Sequence, residues 1–149
     1  MNKNSTQELL GTRFYLEAVI ARLAARRNEP KDIDRLNKIV DLMEVSSIQK
    51  NNNESIRYDI EFHQTLIDIS QNMVLKHLLL AISTMIKRFL EDYTKIPETS
   101  KSAISYHKLI IKALVEKDSD FAEAEMKAHP IDVIKTLREK LNLNVKLSD

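Results

Sequence analysis

A single glycine, Gly11, in 149 residues is the strongest constraint on what this chain can become. Tight hairpin turns, phosphate-cradling loops and dinucleotide fingerprints all need backbone positions that glycine fills without steric penalty. Against an average usage of about 7%, one glycine directs the chain toward helices joined by short polar turns. The absence of Cys excludes disulfides, thiolate nucleophiles and Cys-based zinc or iron–sulfur sites. Any metal must therefore be held by the four His residues together with carboxylates. Lys and Arg number 23 against 22 Asp and Glu, so the formal net charge is +1. No global field draws such a chain to nucleic acid or to an anionic membrane. Residues 1–5 lack the apolar core of a signal peptide, and no run approaches the roughly 18 apolar residues of a membrane span. The expectation is one cytoplasmic domain that binds neither membrane nor nucleic acid directly.

Helical periodicity carries the rest. From residue 6 to about 27 the apolar positions are Leu9, Leu16, Ile20, Leu23 and Ala24, with Arg13 inside the stripe. Pro30 suits a helix first turn, and Ile33, Leu36, Ile39, Val40 and Met43 extend a second helix to about 45. Residues 46–53, ending in three Asn, read as a loop because Asn side chains compete with helical backbone bonding. A third helix is expected over residues 54 to about 70, capped by Asn53 and stopped near Asn72. Residues 74–93 form the most apolar stretch, from Leu75 and Leu78 to Phe89 and Tyr93, and read as a fourth helix. Such a helix is central to a bundle or lies at a subunit interface. A fifth covers about 98–116. A sixth runs from a Ser119 cap toward 143, interrupted by Pro130, which removes the backbone bond to Met126. The resulting class is all-α, a single antiparallel bundle of about six helices, in which ligands and metals sit between facing helices.

Polar residues on apolar stripes mark the candidate site, because burying them costs free energy unless they find partners. Asp59 and His63 lie one turn apart on the inner face marked by Ile56, Ile60, Leu66 and Ile67. The pair can share a side-chain hydrogen bond or direct an oxygen and a nitrogen to one ion. His107 continues the stripe of Ile104, Ile111 and Leu114, and His129 that of Ala122, Met126, Val133 and Leu137. Singly, each reads as a core histidine bonded to a backbone carbonyl. Jointly, three inward imidazoles and a carboxylate in one small domain suit a divalent cation that accepts their lone pairs. His77 lies on a helix flank and reads as structural or exposed. Arg13 either pairs with Glu17, one turn later, or awaits an anionic ligand such as a carboxylate.

The order Arg13-x-x-Leu16-Glu17, the Ala21-Arg22-Leu23-Ala24-Ala25 run, Asp59-x-x-Phe62-His63-x-x-Leu66 and Ser70-Gln71-Asn72 resembles the FCD domain. That is the C-terminal effector-binding domain of FadR-type GntR transcription regulators. His107 before Ile110-Ile111-Lys112-Ala113-Leu114, Asp118 and Asp120 before Ala122, and Met126-x-x-His129 agree with it. Two positions depart from the pattern. Tyr106 stands where the family often has Glu, and Pro130 biases His129 away from helical geometry.

The resemblance implies a helical bundle, the count of six matching the VanR-like branch, with residues 8–145 as the ligand-binding domain after a short tail, 1–7. It implies a divalent ion, zinc or nickel, on Asp59, His63, His107 and His129, and a small carboxylate effector anchored by Arg13, with Asn72 as a further polar contact. It also implies a homodimer, and DNA contact through an N-terminal winged helix-turn-helix domain that this sequence does not contain. Two other functions remain compatible with the residues. One is a metal-dependent hydrolase, although Glu61 faces away from Asp59 and supplies no general base. The other is a bundle that only dimerises.

Overall fold

Helices in this chain begin where polar side chains can occupy their free backbone N–H groups. The computed structural model describes residues 1–147, and these form seven helices: α1 (Lys3–Arg27), α2 (Pro30–Ile48), α3 (Asn52–Ser70), α4 (Met73–Ala81), α5 (Ser83–Tyr93), α6 (Thr99–Val115) and α7 (Ser119–Leu141). Asn2, Asn51, Asn72 and Asp118 each accept a hydrogen bond from the backbone N–H three residues on. Pro30 opens α2, where Glu29 and Asp32 cap each other reciprocally.

The class is the expected one, but several boundaries move. The asparagine run is not a long loop: Asn51 caps α3 while Asn52 and Asn53 form its first turn. Ser46 is still helical, and its hydroxyl donates to the Leu42 carbonyl. Asp118, not Ser119, caps the last helix. Asn72 does not stop α3. Gln71 does so in a left-handed conformation, and Asn72 caps α4. The expected fourth helix is two helices, α4 and α5, broken at Ile82. Ile82-Ser83-Thr84 places a β-branched residue and two hydroxyl side chains in succession, all weak helix formers. Pro130 has the opposite outcome. α7 continues through it to Leu141, and His129 keeps helical backbone.

Gly11 serves no turn. It is buried midway along α1, and the left-handed positions at helix ends belong to Lys50, Gln71, Glu98, Lys117 and Asn142. Each such non-glycine residue costs about 1 kcal/mol of backbone strain. α1 packs most extensively along α7, and the two are antiparallel: Arg22 pairs with Asp120 and Glu123 at one end. At the other end the Lys146 amide reaches Gln7, and Val145 is fully buried.

Apolar packing is divided in two. One cluster holds Ile20, Ala24, Leu36, Phe62, Leu66, Ile110, Leu114 and Met126. The other holds Leu9, Leu10, Ile56, Phe89, Leu90, Tyr93, Val133, Ile134 and Val145. Along α1, α3 and α7 the chain passes from one cluster to the other, and Arg13, Glu17, Asp59 and His129 lie at the crossing points. The site therefore forms a polar belt between two half-cores. Among the described residues, no helix is long and apolar enough to cross a membrane.

Candidate metal centre

Four helices meet at the belt. α3 contributes Asp59 and His63 one turn apart, α6 contributes His107, α7 contributes His129, and α1 brings Arg13 and Glu17 alongside. None of the six side chains is more than 9% exposed. Asp59, His63, His107 and His129 each offer a ligand atom, and these atoms lie within 4.8 Å of one another. Asp59 Oδ1 is 3.3 Å from His107 Nε2 and 3.9 Å from His63 Nε2. The imidazoles are close and meet edge to face: His63 and His107 centroids are 5.2 Å apart, His107 and His129 5.8 Å. Phe62 stacks on His107 at 3.9 Å and holds that ring in place.

Whether a metal suits these donors can be judged from the nitrogens. Both ring nitrogens of His63, both of His107 and Nδ1 of His129 are buried without a hydrogen-bond partner. Leaving such a group unsatisfied costs about 1–3 kcal/mol. The close contacts at His63 do not remove the deficit. Glu17 Oε1 approaches Nδ1 to 2.8 Å, but off the line a ring N–H must take. Ligands about 2.1 Å from a common ion stand roughly 3–4 Å apart in tetrahedral or octahedral arrangement. The 3.3 and 3.9 Å separations match that spacing. Three imidazoles and one carboxylate form a donor set that suits zinc or nickel.

Charge in the belt is balanced internally. Burial works against the ionised form of Glu17, yet Arg13 and His63 together hold its carboxyl well below the usual range. Asp59 is likewise opposed by burial and held low by His107, His63 and Arg13. Burial lowers His63, but Glu17 and Asp59 outweigh it and raise the group. His107 is lowered, chiefly by burial. Burial together with His107 and His63 brings His129 down to about 3.

Arg13 lies beside the cluster, buried on α1. Its Nε donates to Glu17 Oε2 at 2.8 Å, the expected pair one turn apart. This is its one hydrogen bond among the described residues, so the two terminal nitrogens are left available. Two small cavities of about 30 and 40 Å³ flank the cluster, and Arg13 and Asp59 line both. The first also meets His129, Tyr93 and Phe89. The second meets Glu17, His63 and Leu79, together with Ser83 at the α4–α5 break. Asn72 lines neither, because its side chain is committed to the α4 cap. His77 is apart from the cluster, its Nδ1 2.6 Å from the Met73 carbonyl. Tyr106 lies beside His129, ring centroids 5.1 Å apart. Sequence reasoning gave Glu17 only one partner. Its second, His63, belongs to another helix, and the sole local signal was a carboxylate on an apolar, Ala-rich face.

Comparisons with known proteins agree with the all-helical fold. The family model described as FCD domain matches residues 8–132. The HTH-type transcriptional regulator LutR of Bacillus subtilis is 31% identical, an alignment covering 98% of this chain and 68% of LutR. The HTH-type transcriptional repressor NanR of Cronobacter sakazakii is 26% identical over 83% of this chain and 48% of its own length. The solved structure of Streptococcus agalactiae GntR superposes with a TM-score of 0.76 at 27% identity, over 89% of this chain and 58% of that one. The chain thus spans about half to two thirds of the length of these proteins.

Proposed function

The chain belongs to the FCD domain family, the ligand-sensing domains of GntR-type transcription regulators, and from that membership we propose that Asp59, His63, His107 and His129 hold a divalent ion, zinc or nickel, at which a small carboxylate effector is sensed. The observation that carries this reading is the group of buried, partnerless imidazole nitrogens converging on Asp59. An ion held there supplies a fixed positive charge and coordination positions for carboxylate oxygens. Charge sets the class of ligand. With neutral imidazoles, a divalent ion and Arg13 exceed Glu17 and Asp59 by one positive charge, which one carboxylate neutralises. Arg13 receives that carboxylate through its terminal nitrogens while Glu17 fixes its Nε. The second cavity, lined beyond the charged groups mostly by Leu79, Leu80, Ile60, Ile67 and Ile86, gives that side of the centre an apolar wall.

FCD domains of these regulators act as dimers beside an N-terminal DNA-binding domain. We assign DNA reading here to such a separate winged helix-turn-helix domain, and dimerisation to the face of α4 that exposes Met73, Val74, Leu78 and Leu80. The effector then acts by linkage: it binds two arrangements of the bundle with different affinity and shifts their populations. α1 is suited to transmit the shift, since it carries both Arg13 and Glu17. The relatives are transcription regulators, and no positioned general base argues for hydrolysis.

Metal analysis of untagged protein purified without chelator tests the first step. We expect about one equivalent of zinc or nickel in the wild type and its loss in Asp59→Ala and His63→Ala. Equal metal in all three proteins overturns the site. Titration with small carboxylates should then raise the melting temperature of the metal-loaded protein and leave Arg13→Gln unmoved.

A further inference from the structure

We propose that Glu17 is the positioning residue of this centre: one carboxylate, buried on α1, sets the ring of His63 with one oxygen and the guanidinium of Arg13 with the other. This rests on the metal-sensing reading above and extends it to a residue outside the ligand set.

The geometry divides the carboxylate's work. Oε2 lies 2.8 Å from Arg13 Nε, and Oε1 lies 2.8 Å from His63 Nδ1. The two nitrogens of an imidazole point to opposite sides of the ring. With Nδ1 directed at Glu17, Nε2 is directed at Asp59, 3.9 Å away. A neutral imidazole carries one N–H, and an acceptor at Nδ1 keeps it there, leaving the Nε2 lone pair for an ion. Metal-bound histidines are commonly held in this way by a carboxylate that fixes tautomer and orientation. The present approach is short but off the N–H line. Torsion about the Cβ–Cγ bond of histidine is broad, so ring rotation is the motion that would align it.

Neither charge balance at Arg13 nor helix stability accounts for Glu17. Pairing with Arg13 occupies only Oε2, and Oε1 is left to His63. A carboxylate needed only for helix stability would not be buried to 4% exposure. Glu17 instead joins the ion-binding side of the belt to its anion-binding side. Because it sits on α1 while His63 sits on α3, it links those two helices at the site.

The test compares wild type, Glu17→Gln, Glu17→Ala and Asp59→Ala by zinc competition against a chromophoric chelator and by the visible absorption of the cobalt(II)-loaded proteins. Glu17→Ala should bind zinc about 10- to 100-fold more weakly and shift the cobalt bands, because the imidazole orientation changes. Glu17→Gln keeps an acceptor oxygen and should recover much of the affinity. It also serves as the test if Glu17→Ala does not fold, since it too should fall measurably below wild type. Asp59→Ala should lose the ion altogether. Wild-type zinc affinity and cobalt spectra in both Glu17 variants, with loss in Asp59→Ala, overturn the role of Glu17 and leave the metal centre standing. Undiminished binding in Asp59→Ala, or none in wild type, overturns the metal reading and this proposal with it.

Discussion

α1 and α4 reverse the usual relation between apolar character and burial. α4, Met73–Ala81, carries five large aliphatic side chains among nine residues, yet buries only Leu79. Val74 is 70% exposed and Leu78 49%. α1 carries Arg13, Glu17, Arg22, Arg26 and Arg27, yet it lies against α3, α6 and α7 and buries Arg13 and Glu17 fully. Small residues explain part of this: Ala18, Ala21, Ala24 and Ala25 let neighbouring helices come close along the C-terminal half of α1. The contrast teaches that position in the bundle decides burial. Apolar residues left outside signal a partner, whereas charged residues taken inside signal chemistry.

The largest test of that contrast is paired truncation. Phe62→Ala, in the half-core next to His107, should lower unfolding free energy by about 3–5 kcal/mol in denaturant titrations of the metal-free protein. Leu78→Ala on α4, measured below the concentration at which copies associate, should change it by less than about 0.5 kcal/mol. Comparable losses would mean that α4 is packed as tightly as the belt's neighbours.

Acid provides the next test. In the metal-free protein, His129 has a folded value of about 3 against 6.5 when exposed. Between those values the unfolded chain binds the extra proton, so this contribution is complete above pH 6.5 and is lost as pH falls. His107, also lowered, acts in the same direction. His63 is raised, so its contribution is present below 6.5 and lost as pH rises through its folded value. Stability should therefore peak near pH 6.5 and decline on the acid side by up to about 1.4 kcal/mol per pH unit for His129 alone. A flat profile in chemical unfolding would remove the belt's distinction from the exposed helix.

The smallest change in monomer stability is expected from Val74→Ser with Leu78→Ser. Its effect should appear instead in sedimentation, as a shift from dimer to monomer. A double variant that remains dimeric would place the interface elsewhere than on α4.

Much of this was legible in the sequence for physical reasons. A polar residue inside a helical stripe reveals its orientation through period alone, so Asp59, His63, His107 and His129 could be assigned inward. Convergence could not be read that way, because crossing points depend on how α3, α6 and α7 pack. Glu17 is the clear example: its local partner Arg13 was foreseeable at four residues, but His63 lies 46 positions away. Asn72 was ambiguous for the converse reason. An asparagine after a helix suits several local roles, and here the backbone amide of Leu75 takes its side chain. The break at Ile82 was masked by the continuous apolar run around it.

The division of the apolar interior has a consequence for cooperativity. Two half-cores separated along α1, α3 and α7 by charged and imidazole groups, with Ile82 packed against both, need not open together: each can unfold locally while the other remains protected. Hydrogen exchange on the metal-free protein should resolve two sets of amides with different opening free energies, one around Phe62 and Leu114 and one around Leu10 and Val133. An ion bound by ligands from three helices would merge them into one unit, so that occupancy is registered as a change in how much of the domain moves at once.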